Sequence, residues 1–184
     1  NIKRTGDALD DLRLEASDRV LDLGCGSGWA SRVVSSVGAR YWGVDLDPNF
    51  IAWAREETEE TPNLSFHSIE HGDLSGFRGL GINKVFALNV FSQFNLYDFA
   101  VYLKAVRDLL DDGFFYFNFM NAEKLNHTTD PKFLRHLALY REDRSQISKL
   151  LQWHSPRTIL GFAETIGFRV EFFHSEDEWV MLRA

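Results

Sequence analysis

A chain of 184 residues, 45% of them hydrophobic and 26% charged, is long and apolar enough to close one core, and is neither a disordered nor a fibrous composition. Its net charge of −7 argues against a nucleic-acid backbone as the main partner. The single cysteine, Cys25, forbids an internal disulfide, and no apolar run approaches the roughly 18–20 residues of a membrane span.

The chain begins N-I-K-R-T-G-D, with neither a methionine nor an apolar h-region. This leads us to expect sequence upstream of Asn1, no secretory leader and a cytoplasmic protein. Residues 19–23 are a short apolar run and predict a buried strand; 27–37 carry Trp29, Val33, Val34 and Val37 at helical spacing. A strand at 40–44 follows, then a helix at 48–60, with Pro48 at its first turn and Asp47 as its N-cap. Strands are expected at 64–69 and 82–88, and a helix at 96–110 with Phe99, Leu103, Val106 and Leu110 on one face. Asp111-Asp112-Gly113 stops it before a strand at 114–119 that is apolar on both faces except at Asn118, as in a parallel sheet covered by helices. Ser155-Pro156 opens a last helix that Gly167 closes, and strands at 168–173 and 179–182 flank a polar turn as an antiparallel hairpin. The order predicts a doubly wound α/β fold: a seven-stranded, mostly parallel Rossmann-like sheet in one domain over 1–184, with no repeat or linker.

The string V-L-D-L-G-C-G-S-G at 20–28 sets Gly24, Gly26 and Gly28 between the first strand and the first helix. Such a turn gathers free backbone N–H groups and the positive helix end at the carboxyl edge of the sheet, where ligands bind. The spacing is G-x-G-x-G, not G-x-G-x-x-G: the third position of the dinucleotide fingerprint is Trp29, too bulky for close helix–strand packing. Asp45, ending the second strand, is the acid placed to accept from a ribose diol; Asp47 is its rival.

On these residues the chain resembles the class I S-adenosylmethionine-dependent methyltransferases. The likeness continues through Y-W-G-V-D-L-D-P (41–48), E-H-G-D-L (70–74), K-V-F-A-L-N-V-F (84–91), L-L-D-D-G-F-F (109–115) and S-P-R-T-I-L-G-F-A-E-T-I-G-F (155–168). It departs at Asn83-Lys84, where the family usually starts its fourth strand with an acid, and at Gly113, which stands where a glycine pair is usual. The resemblance implies S-adenosyl-L-methionine as cofactor and a C-terminal antiparallel hairpin. It implies that Asp22 orients the glycine loop or meets the methionine amine, that Gly24, Cys25, Gly26 and Gly28 offer backbone to the cofactor, and that Asp45 binds the ribose. Asp73 would accept from the adenine amino group, Leu46 and Leu74 would sandwich the ring, and Asn89 and Val90 would face the methionine part. Cys25 is not expected to act through its thiol, and one cysteine does not build a metal site.

The acceptor side is read from residues 120–154, an insertion that in this family often covers the substrate. It carries His127, His136, Tyr140, Arg141, Trp153 and His154, and a histidine there is a candidate general base. The Asn-Pro-Pro-Tyr signature of amino-group methylation is absent: the fourth strand ends L-N-V-F. The expectation is therefore methyl transfer to a small-molecule acceptor, as in the quinone-biosynthesis and natural-product methylases. An inactive cofactor-binding regulatory domain and, disfavoured by Trp29, a nicotinamide oxidoreductase are the alternatives; the oligomeric state is left open.

Overall fold

In the computed structural model, which describes residues 9–58, 61–126, 129–143, 151–174 and 178–184, the apolar runs form nine strands among the described residues. These are β1 (Arg19–Leu23), β2 (Arg40–Asp45), β3 (Leu64–Ser68), β4 (Lys84–Ala87), β5 (Phe114–Asn118), the two-residue β6 (Met120–Asn121) and β7 (Trp153–His154), β8 (Arg169–His174) and β9 (Trp179–Arg183). Helices α1 (Ser31–Ser36), α2 (Pro48–Glu57), α3 (Leu96–Leu109), α4 (Pro131–Glu142) and α5 (Pro156–Thr165) lie between them. The main sheet has seven strands in the order β3-β2-β1-β4-β5-β9-β8. The first five run parallel, β9 is antiparallel to β5, and β8 and β9 form the expected hairpin, whose turn at 175–177 lies outside the described residues.

Strand alternation sends side chains into two apolar layers. Leu21, Leu23, Val85, Ala87, Phe115 and Phe117 pack against Phe99, Leu103 and Val106 of α3 and Ile159 and Ala163 of α5. Val20, Tyr41, Phe66, Phe86 and Tyr116 face Val34, Ile51 and Ala54 of α1 and α2, together with Leu9 and Leu12. Asp22 shares this second face with Val20 and is nearly as deep, at 3% exposure.

Two helix boundaries differ from the sequence reading by more than two residues. The first helix begins at Ser31 rather than 27, because Gly28 has φ +79° and no right-handed helix can pass through it. The second ends at Glu57, with Thr58 as its cap; Glu56 and Glu57 are exposed, and Glu59 and Glu60 lie outside the described residues. The departure at Asn83-Lys84 falls at the amino end of the sheet. There Lys84 Nζ sits 2.7 Å from the Asp18 carboxylate and donates to the Leu12 and Arg13 carbonyls, while Asn83 donates to Asp18 at 2.9 Å. The acid at this edge is Asp18, the residue before β1.

Candidate functional site

The glycine loop leaves β1 at the carboxyl edge of the sheet. The Gly24 and Cys25 N–H groups both donate to the Val44 carbonyl, at 2.8 and 3.0 Å, which fastens the loop to the end of β2. Gly24 has φ +69°, and a Cβ on it would stand 2.4 Å from Val90 Cγ2; a Cβ on Gly28 would stand 2.8 Å from the Phe66 ring. Both positions demand glycine for conformation and for space. A Cβ on Gly26 would meet nothing within 4 Å. The loop is pressed from both ends and open in the middle.

The carboxylate of Asp45 closes the loop's far side. Its Oδ2 accepts from the Gly26 N–H and its Oδ1 from the Asp47 N–H, both at 2.9 Å. Asp47 in turn accepts from the Asn49 N–H at 2.8 Å and caps α2, as its place before Pro48 predicts. The two acids therefore divide the work. A carboxylate offers about four acceptor directions, so Asp45 keeps lone pairs for a ligand.

A cleft of about 380 Å³ opens over this edge. It brings together Gly24, Gly26, Asp45, Leu46, Asn89 and Val90 of the predicted set, and adds Phe50, Ile69, Gln93, Phe94 and Tyr102. Phe94 and Tyr102 stack with ring centroids 4.8 Å apart. Tyr102 sits on the apolar face of α3 one turn after Phe99, so its polar tip on that face was the available signal. Asp22, Cys25, Gly28, Asp73 and Leu74 are not among the wall residues. Asp73 is exposed and accepts from the Ser75 N–H at 2.9 Å; the Ser75 side chain first, and that N–H second, hold its carboxyl below the usual range. Leu74 is buried in the core with Phe77, and Asp73 and Leu74 border a separate shallow groove against α3.

Asp22 lies beneath the loop. The Tyr41 hydroxyl donates to its Oδ2 at 2.6 Å. Burial pushes the Asp22 carboxyl up to about 8 in spite of that bond, and the charge of Asp45 adds to the rise. Burial, then Asp22 and Asp45, likewise raise the Cys25 thiol, so it stays protonated. Among the described residues the cleft wall carries Asp45 and Asp47 and no lysine or arginine. Such a wall favours a cationic ligand and opposes a pyrophosphate.

The edge between β4 and β5 holds a polar pair. Asn89 has φ +62°, its N–H donates to Asn118 Oδ1 at 2.7 Å, and Asn118 Nδ2 donates to Asn89 Oδ1 at 2.9 Å. Beyond it, β6 and β7 pair in parallel, and the Gln152 N–H donates to the Ser92 carbonyl at 2.8 Å. Of the insertion's histidines, His127 lies outside the described residues and His136 is half-buried on α4 beside Trp153. His154 is buried, its Nε2–H donates to the Phe94 carbonyl at 2.8 Å, and burial lowers its pKa. That histidine is neutral and committed to the backbone. Tyr140 and Arg141 stand on α4, which has no fully buried residue. Among the described residues no group of three histidine, cysteine or acidic side chains could hold a metal ion, and no helix is long and apolar enough to cross a membrane.

A family model described as "Methyltransferase domain" matches residues 20–113, just over half of the chain. A Mycobacterium tuberculosis protein named as a probable fatty acid methyltransferase is 25% identical over 105 residues, 57% of this chain and 25% of that protein. The 23S rRNA (uracil(1939)-C(5))-methyltransferase RlmD of Shewanella sp. (strain MR-4) is 40% identical over 70 residues, 37% of this chain and 15% of that one. The chain thus spans a quarter or less of the length of these curated relatives. Among solved structures, magnesium protoporphyrin IX methyltransferase from Synechocystis PCC 6803 with bound SAH superimposes with a TM-score of 0.69 at 15% identity, over 98% of this chain and 81% of that one.

Proposed function

We propose, because this chain belongs to the class I S-adenosylmethionine-dependent methyltransferases, that it binds S-adenosylmethionine in this cleft and methylates a small-molecule acceptor. The observation that carries the reading is Asp45, on the cleft wall, holding the open Gly26 by its N–H with no lysine or arginine among the described wall residues. When bound, the cofactor supplies a methyl group on a positively charged sulfur, open to in-line displacement. The chain's own residues bind, orient and exclude water. Asp45, held by the Gly26 and Asp47 amides, accepts from the ribose diol. Leu46, Ile69 and Tyr102 enclose the adenine ring, and Asn89 and Val90 border the methionine end. Asp73 and Leu74, which stand outside this wall, take no part in that enclosure.

The acceptor approaches past Val90, under the segment where residue 152 is tied to Ser92 and His154 to Phe94. The described residues of 120–126, 129–143 and 151–154 cover it within a single methyltransferase domain. In displacement at a sulfonium the acceptor atom is the nucleophile, forming its bond to the methyl carbon as the carbon–sulfur bond breaks, so the protein need supply alignment and no nucleophile of its own; neither the protonated Cys25 thiol nor the committed His154 offers one. The relatives' names span lipid and ribosomal RNA acceptors. A net charge of −7 and a wall without lysine or arginine favour a small molecule over RNA. Incubation with S-adenosylmethionine and a metabolite library should give a product heavier by one methylene. Transfer to RNA but to no metabolite would overturn the acceptor class.

A further inference from the structure

We infer that Asn118 is a positioning residue: through its side-chain amide it holds Asn89 in a left-handed conformation and aims the Asn89 Nδ2 donor at the amino-acid end of the bound cofactor. The inference rests on the proposed cofactor cleft and deepens it. Main-chain pairing between β4 and β5 ends at Ala87 with Phe117. One residue further, the Asn118 side chain takes over that pairing, accepting from the Asn89 N–H at 2.7 Å and donating to Asn89 Oδ1 at 2.9 Å.

This geometry fixes both amide orientations. The Asn89 N–H is a donor, so the Asn118 atom facing it is the oxygen, and the Asn118 Nδ2 must then meet an oxygen on Asn89. The Asn89 Nδ2 is left on the side of its amide plane away from Asn118. Asn89 lines the cleft, and no described acceptor meets that nitrogen. Its two N–H groups suit a carboxylate oxygen, and the methionine part of the cofactor carries one.

The left-handed backbone is the other half of the device. Asparagine tolerates φ +62° better than most residues, yet it is held there only where the surroundings impose it. The next residue, Val90, is the one that presses on Gly24, so the Asn89 turn also sets the loop's floor. Asn118 is not itself a residue of the cleft wall and reaches it through Asn89. In the sequence it is the lone polar residue of β5, a signal that a core strand had a task at its end.

Calorimetric titrations with S-adenosylhomocysteine and with 5′-methylthioadenosine, which lacks the amino-acid end, test the assignment. Asn118→Leu should lose about tenfold or more in affinity for S-adenosylhomocysteine, the scale of one hydrogen bond to a charged group, and stay within about twofold for 5′-methylthioadenosine. Should Asn118→Leu not fold, Asn89→Gly keeps the left-handed turn without the amide, and the same selective loss is expected. Equal losses for both ligands would reduce Asn118 to a purely structural residue, and no loss for either would also overturn the inference. Failure of the wild-type chain to bind S-adenosylhomocysteine at all would instead sink the cofactor reading on which it rests.

Discussion

Asp22 is a carboxylate placed where water cannot reach it, with one hydroxyl as its partner. In an unfolded chain it titrates near 3.8, and in the fold at about 8. Between those values the folded chain keeps a proton that the unfolded chain has released. The stabilisation this gives is complete below pH 3.8 and is gone once pH has risen through about 8. Asp22→Asn keeps an acceptor for the Tyr41 hydroxyl and removes the ionisation. Denaturant melts from about pH 5 to about pH 9 should show the wild type losing on the order of a few kcal/mol relative to the variant. Parallel curves would contradict this environment. Asp45 and Asp47 were legible in the sequence because a strand end and a following proline set their places one by one. The pairs Tyr41–Asp22 and Asn118–Asn89 were not, because each depends on which strands adjoin and in what register.

The glycine loop was legible from its spacing, the parallel run of β1 to β5 from apolar strands alternating with helices, and the C-terminal hairpin from two strands around a short polar turn. The start of α1 was missed because apolar spacing at Trp29, Val33, Val34 and Val37 says nothing of the sign of φ at Gly28. The loop's three glycines also divide by function. Gly28→Ala forces a side chain into a left-handed residue and against the Phe66 ring, and should cost about 2 kcal/mol or more of stability. Gly26→Ala has room for its methyl, so it should cost about 1–2 kcal/mol from conformation alone while placing that methyl where the cofactor lies. Melts paired with S-adenosylhomocysteine titration should therefore find Gly26→Ala the milder in stability and the more severe in binding. A Gly26→Ala variant that binds normally would show that the loop's open face is not the ligand's side.

Across the whole molecule the two edges of the sheet do different jobs. The amino edge carries the buried Lys84–Asp18 pair, with side chains 11% and 6% exposed, which ties residues 9–18 to the sheet. Lys84→Met leaves Asp18 buried without its counter-charge and should cost about 3–5 kcal/mol, read by denaturant melts. The binding edge lies at the other ends of the same strands, so affinity for S-adenosylhomocysteine should stay within about twofold. A large loss of affinity would mean that the edges are coupled. This exchange of charges was visible in the sequence only as a departure from the family pattern, since Asp18 and Lys84 are brought together by the pairing of β1 with β4.

The cleft is proposed to take an adenosyl cofactor through Asp45 rather than a nicotinamide dinucleotide. Calorimetric titration of the wild-type chain with S-adenosylhomocysteine and with NADH, repeated on Asp45→Ala and Asp47→Ala, tests it most directly. S-adenosylhomocysteine should bind the wild type, and at about 100 times its dissociation constant add about 2.7 kcal/mol of stability. Asp45→Ala should weaken it about ten- to a hundredfold, since the ribose loses its acceptor and the Gly26 amide its anchor. Asp47→Ala should stay within a few-fold and lose about 1 kcal/mol of stability as an N-cap. NADH should give no heat of binding. Binding of NADH with no response to S-adenosylhomocysteine, or loss of the cofactor by Asp47→Ala with Asp45→Ala unaffected, would contradict the account.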